Sequence, residues 1–170
     1  MSISVLLFTF SRLSSPFLTP FVALGNLQEC LRRDPDHSTA RTKLKLLKDL
    51  ERLRTAGNDA FKRHDHAAAI ESYTAALEVD PANAATNSRL FNNRAIARFA
   101  LRQYEEACDD CGKAIELDAE FVKAYRKRAE CWGKLEKWQE AVYDLEKAKS
   151  IEPDDKGTGE DGERVGERGK

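Results

Sequence analysis

The sequence predicts an all-α fold, a superhelix of stacked antiparallel helical hairpins, and three observations predict it. Small residues and prolines return at the same offsets in three segments of 34 residues each. Leu44, Leu47, Leu50 and Leu53 make one apolar stripe at helical spacing. The composition, 41% hydrophobic and 34% charged over 170 residues, suits one soluble helical domain with a real core.

The chain changes character before the repeats begin. Residues 1–22 form an atypical apolar segment in which Arg12 is the only charged side chain. Arg12, Pro16 and Pro20 interrupt it, so no apolar run reaches the ~20 residues of a membrane span. Three readings fit: a secretory signal with Ile3–Phe10 as its apolar region but no basic start, an acid-free organelle presequence with only one Arg, or a non-native start such as a wrongly chosen first exon. The last is preferred. Residues 23–37 carry Ala23, Leu27, Cys30 and Pro35 at the offsets of a hairpin's second half, and read as the remnant second helix of an earlier unit. From Ser38 or Thr39 a helix should run unbroken through Lys62, because neither Gly nor Pro interrupts it before Gly57. The repeat domain spans 38–155, with units at 50–83, 88–121 and 122–155 and a four-residue spacer between the first two. Residues 156–170, glycine-rich with mixed charges, read as a disordered tail.

Within the units, positions 8, 20 and 27 hold Gly57, Ala69 and Ala76; Ala95, Ala107 and Ala114; Ala129, Ala141 and Ala148. Two antiparallel helices come closest there, and only Gly or Ala lets their backbones approach, while Tyr73, Cys111 and Leu145 at position 24 fill the space beside them. In the first unit "AGNDAFKRHD" reads as the first helix and "AAAIESYTAALEVD" as the second. Pro81 and Pro153 close the first and third units because proline cannot continue a helix, and Ala119 takes that place in the second. Gln103-Tyr104 and Lys137-Trp138 mark the turns inside units two and three. This pattern resembles the tetratricopeptide repeat, and the resemblance implies a tetratricopeptide-repeat superhelix. Nothing after Pro153 supplies a polar-faced capping helix, so the last unit is expected to expose apolar surface on its second helix.

In such a superhelix the first helix of each hairpin builds the concave wall. Repeat positions 2, 5, 6, 9 and 12 to 13 then contribute Glu51, Arg54, Asn58 and Phe61; Arg89, Asn92, Asn93, Ile96 and Phe99; and Lys123, Arg126, Lys127, Glu130 and Lys134. "RTAGN", "FNNRA" and "KAYRKRA" resemble, position for position, the carboxylate clamp of tetratricopeptide co-chaperones that hold the C-terminal Glu-Glu-Val-Asp of Hsp70 or Hsp90. The resemblance implies that Arg54, Asn58, Asn93, Lys123 and Lys127 surround the terminal aspartate. It also implies that Phe61, Ile96 and Phe99 shape an apolar pocket for the preceding valine. Three cations and two amides match the two carboxylates of such a chain end. Arg54 and Lys127 exchange the Lys and Arg of the usual clamp, which keeps the charge and leaves the choice between Hsp70 and Hsp90 open. Cations on helices are commonly only solvated surface, and Arg126 and Arg128 are read as solvent-facing or as partners of a neighbouring helix.

"DPDHSTARTKLKLLKDLERLRTAGNDAFK" and the spacer before "SRLFNNRA" resemble the C-terminal repeat block of the DnaJ homologue subfamily C member 7 type. In that family a J domain with a His-Pro-Asp motif stimulates Hsp70; no His-Pro-Asp occurs in this sequence. The chain as given is therefore expected to bind chaperone tails without activating the ATPase. A scaffold that takes an internal segment of another protein is the alternative. The formal net charge of −1 offers no general field for nucleic acid. No nucleophile–base pair, metal set or phosphate loop stands out, so neither catalysis nor a cofactor is expected, and His64 and His66 read as turn residues around Asp65. Cys108 and Cys111 form a CxxC with no second pair, and read as small buried residues rather than zinc ligands. Unpaired thiols suit a reducing compartment, the cytoplasm with the nucleus as a second location.

Overall fold

The computed structural model describes residues 20–153, so the segment 1–19 and the glycine-rich tail lie outside the described residues. Among the described residues there are seven helices and no strand. They are α1 (Pro20–Arg33), α2 (Ser38–Lys62), α3 (His66–Val79), α4 (Ala84–Ala100), α5 (Tyr104–Leu117), α6 (Val122–Lys134) and α7 (Trp138–Ile151). Helix α1 begins at Pro20, so residues 20–22 of the apolar segment are already helical. The leucine stripe lies on α2, a single helix of 25 residues. The spacer between the first two units is the first turn of α4, started by Asn83, whose side chain accepts from the Thr86 backbone N–H at 3.2 Å.

The contacts divide the chain into two bodies, 1–51 and 52–170. In the first, Leu27, Ala40 and Leu50 are buried. In the second, α3 packs on α4, α4 on α5, α5 on α6, α6 on α7, and α4 also reaches α6. The small residues of the repeat pattern stand at these contacts. Ala69, Ala76, Ala95, Ala107, Ala114, Ala141 and Ala148 have no exposed surface at all, and Ala129 keeps 2%.

Each turn inside a hairpin closes in the same way. His64, Arg102 and Glu136, all at repeat position 15, have φ of 62°, 63° and 60°. The next residue, Asp65, Gln103 or Lys137, donates its N–H to the carbonyl five residues back, on Ala60, Arg98 or Trp132. This is the Schellman closure, normally built on glycine because a Cβ is strained there. His66, read from sequence as a turn residue, is instead the first residue of α3, because the Asp65 carboxylate accepts from the Ala68 N–H at 3.1 Å and starts the helix one residue earlier.

Charged residues also hold the second body together. Arg94 on α4 grips Asp110 on α5 with two bonds, Nε to Oδ2 at 2.9 Å and Nη2 to Oδ1 at 2.7 Å. Its Nη1 donates to Thr74 on α3 at 2.8 Å, and Arg98 adds a bond to Asp110 at 2.8 Å. Asp110 is fully buried and Arg94 is 8% exposed. Arg128 repeats the fork on Asp144 of α7 at 2.7 and 2.6 Å, which places it with a neighbouring helix as the sequence suggests. Both pairs join position 7 to position 23. The first unit has Ala56 and Ser72 there. On α7, Tyr143 is 56% exposed, in keeping with apolar surface on the last helix.

Removing one partner of a buried pair leaves the other charge without compensation. Asp110→Ala is expected to cost about 3–5 kcal/mol in urea unfolding. Asp144→Ala should cost less, since the Arg128 side chain is already 22% exposed. Arg102→Gly is expected to raise stability by about 1 kcal/mol, read from the same unfolding midpoints.

Candidate peptide groove

The clamp and pocket residues proposed from sequence lie on α2, α4 and α6, the first helices of the three hairpins, and all belong to the second body, whereas Glu51 is the last residue of the first. The structure brings four of them to one open cleft of about 230 Å³: Asn58 and Phe61 from α2, Asn93 and Ile96 from α4. Lys62 and Tyr73 complete its lining, and sequence reasoning missed both. Lys62 follows a residue already assigned to the groove. Tyr73 sat in the repeat pattern only as a filler at position 24.

Tyr73 is what orients the first amide. Its hydroxyl donates to Asn58 Oδ1 at 2.9 Å, which leaves both amide N–H donors of Asn58 for the cleft. Burial pushes the Tyr73 phenol above its usual range, and the Arg54 cation opposes this in part, so at neutral pH the hydroxyl stays a donor. Arg54 is thereby tied to the same neighbourhood, one helical turn before Asn58 and half-buried. Gly57 makes the arrangement possible. A Cβ at that position would stand 2.6 Å from the Tyr73 ring. Ala95 and Ala129 occupy the equivalent place in the other units, opposite the smaller Cys111 and Leu145.

Two residues depart from the sequence reading. Asn92, assigned to the groove beside Asn93, is 5% exposed, and its Oδ1 finds no hydrogen-bond partner among the described residues. Successive helical residues point about 100° apart, so Asn93 reaches the cleft and Asn92 turns away. Phe99, expected to share a pocket with Phe61 and Ile96, lies outside that cleft. It packs against the core formed by Ala95, Ala107, Cys108, Cys111 and Cys131, with its ring 5.2 Å from that of Tyr104.

The cations of α6 have unequal surroundings. Lys123 is exposed and makes no ion pair among the described residues. Lys127, one turn on, holds its ammonium 4.8 Å from the Phe99 ring centre and 2.5 Å from Glu130 Oε2. Its side chain is only 19% exposed.

The CxxC lies beneath the groove wall rather than in it. Cys108, Cys111 and Cys131 are 4%, 0% and 0% exposed. The Cys108 thiol is raised by its hydrogen bond with Cys131 and by burial. Cys131 is pushed up to about 12: its bond with Cys108 lowers it, and the bond with Cys111 together with burial outweighs that. All three are core residues, and Cys108 and Cys131 stay protonated. Among the described residues no set of His, Cys, Asp and Glu is arranged to hold a metal ion, and no helix is long and apolar enough to cross a membrane.

The tetratricopeptide-repeat model matches residues 88–121, the second unit. The second such domain of human RPAP3, solved in complex with the Hsp70 peptide SGPTIEEVD, superposes with a TM-score of 0.66 at 32% identity, over 71% of this chain and 98% of that one. The chain belongs to the tetratricopeptide-repeat family. The first domain of Spaghetti (RPAP3), bound to the Hsp90 peptide SRMEEVD, gives 0.66 at 30% identity, over 71% and 93%. Among curated proteins, the DnaJ homolog subfamily C member 7 homolog of Dictyostelium discoideum is 41% identical over 133 residues, 78% of this chain and 25% of that protein. This tetratricopeptide chain thus spans about a quarter of the length of the curated relatives it matches.

Gly57→Ala is expected to destabilise the fold by about 1–3 kcal/mol, because the tyrosine ring must move off its rotamer. Adding Tyr73→Leu, which copies the Ala129 and Leu145 combination, should recover most of the loss in thermal unfolding.

Proposed function

We propose that the chain is a co-chaperone adaptor module that holds the C-terminal Glu-Glu-Val-Asp tail of Hsp70 or Hsp90. The observation that carries the reading is the cleft where Asn58 and Asn93, from two hairpins, stand beside the apolar Phe61 and Ile96. Two amides beside apolar side chains fit a chain end whose last residue is charged and whose neighbour is valine. Arg54 on α2 and Lys123 and Lys127 on α6 supply the positive charge that a terminal aspartate, with its two carboxylates, requires. Capture of a chain end makes recognition independent of the partner's fold. The two RPAP3 domains bound to peptides ending in EEVD support the same reading. We place the module in the cytoplasm, where such tails are met, and assign it no chemistry of its own.

A scaffold reading, in which the groove takes an internal segment of another protein, draws on one observation: Lys127 already has a carboxylate partner in Glu130. The free chain end separates the two. A fluorescent peptide ending in Glu-Glu-Val-Asp should bind the full chain, and its C-terminal amide should bind about ten- to a hundred-fold more weakly, as loss of a charge-assisted bond implies. Lys123→Ala should cost a similar factor with unchanged circular dichroism. Equal binding of acid and amide would exclude the clamp.

A further inference from the structure

We propose that Glu130 is an internal competitor for the ligand carboxylate at Lys127, and that it sets how much negative charge a tail must carry to bind. The inference rests on the carboxylate-binding reading above and adds a residue that works against it. Glu130 Oε2 lies 2.5 Å from the Lys127 Nζ, close enough to hold one of its three donors. The Phe99 ring stands 4.8 Å from the same ammonium. With the side chain only 19% exposed, the ammonium sits between an aromatic ring and a carboxylate. A tail that uses Lys127 must displace Glu130 or share the ammonium with it.

The repeat register places Glu130 on the groove wall. It occupies position 9 of the third unit, where the first two units have Asn58 and Ile96. Both of those residues line the cleft. Position 9 therefore carries an amide, an apolar group and a carboxylate along the three first helices. The carboxylate is 45% exposed, so the ligand can push it into water. A chain end with two carboxylates can exchange for Glu130 at a gain, whereas an amidated end has less charge to do so. Lys123 has no such partner among the described residues and receives the ligand without exchange. Were the pair only helix-surface decoration, its loss would slightly alter the stability of α6 and leave binding alone.

The test uses the full chain as wild type, Glu130→Gln, Lys127→Ala and the double variant, each checked by circular dichroism. The probe is a fluorescent peptide ending in Glu-Glu-Val-Asp, as free acid and as C-terminal amide. Glu130→Gln should bind the free acid about two- to five-fold more tightly, the range expected for releasing one exposed pair. In the Lys127→Ala background that gain should vanish. Unchanged or weaker binding by Glu130→Gln, in a protein whose wild type still prefers acid over amide, overturns the proposal and leaves the clamp intact. A gain that persists in full without Lys127 also overturns it, since Glu130 would then act by repelling the peptide directly. Wild type indifferent to amidation removes the carboxylate site itself, and this proposal with it.

Discussion

Close backbone approach within and between hairpins is the constraint on which the rest of this structure depends. It requires residues with almost no side chain at repeat positions 8, 20 and 27, and every such residue in the second body is buried. Because the helices are drawn together there, the residues beside them must be fitted to one another. Gly57 faces Tyr73, while alanine faces Cys111 or Leu145. The site inherits this fit. Asn58 has its orientation because Tyr73 is large enough to reach it, and Tyr73 is that large because position 57 has no Cβ.

That constraint is also why so much of the fold could be read from sequence. Small residues at a fixed period announce helix crossings whatever surrounds them, so the all-α repeat, the long α2 and the three groove helices were legible. Finer placement was not. A repeat offset alone does not separate neighbours, and it assigned both Asn92 and Asn93 to the groove although they point about 100° apart. Phe99 was assigned to the groove by its offset, but the apolar cluster around Cys108 and Cys131 offered a better surface for its ring. The left-handed turns were hidden because the sequence writes them with His64, Arg102 and Glu136 instead of glycine.

The Arg94–Asp110 pair was missed for a different reason, although the sequence reading allows Arg128 a partner on a neighbouring helix. Arg94 and Asp110, read singly, look like ordinary surface charges on amphipathic helices. Only their joint recurrence, Arg at position 7 with Asp at position 23 in two units, marks them as partners. The first hairpin lacks the pair and has instead the Tyr73–Asn58 bond, which joins position 24 to position 9. Structural polarity in the second and third hairpins thus points inward, while in the first it points toward the groove. Amide, tyrosine and cation there serve the fold and the candidate site together.

The three sulfurs of α5 and α6 have a chemical consequence. Sealed beneath the groove wall, Cys108, Cys111 and Cys131 present no sulfur surface to an oxidant or an alkylating agent while the helices remain closed, and burial and mutual hydrogen bonds hold Cys108 and Cys131 as thiols. Their reactivity is therefore governed by how often the middle of the stack opens, and the rate at which they are labelled becomes an internal clock for the breathing of the fold.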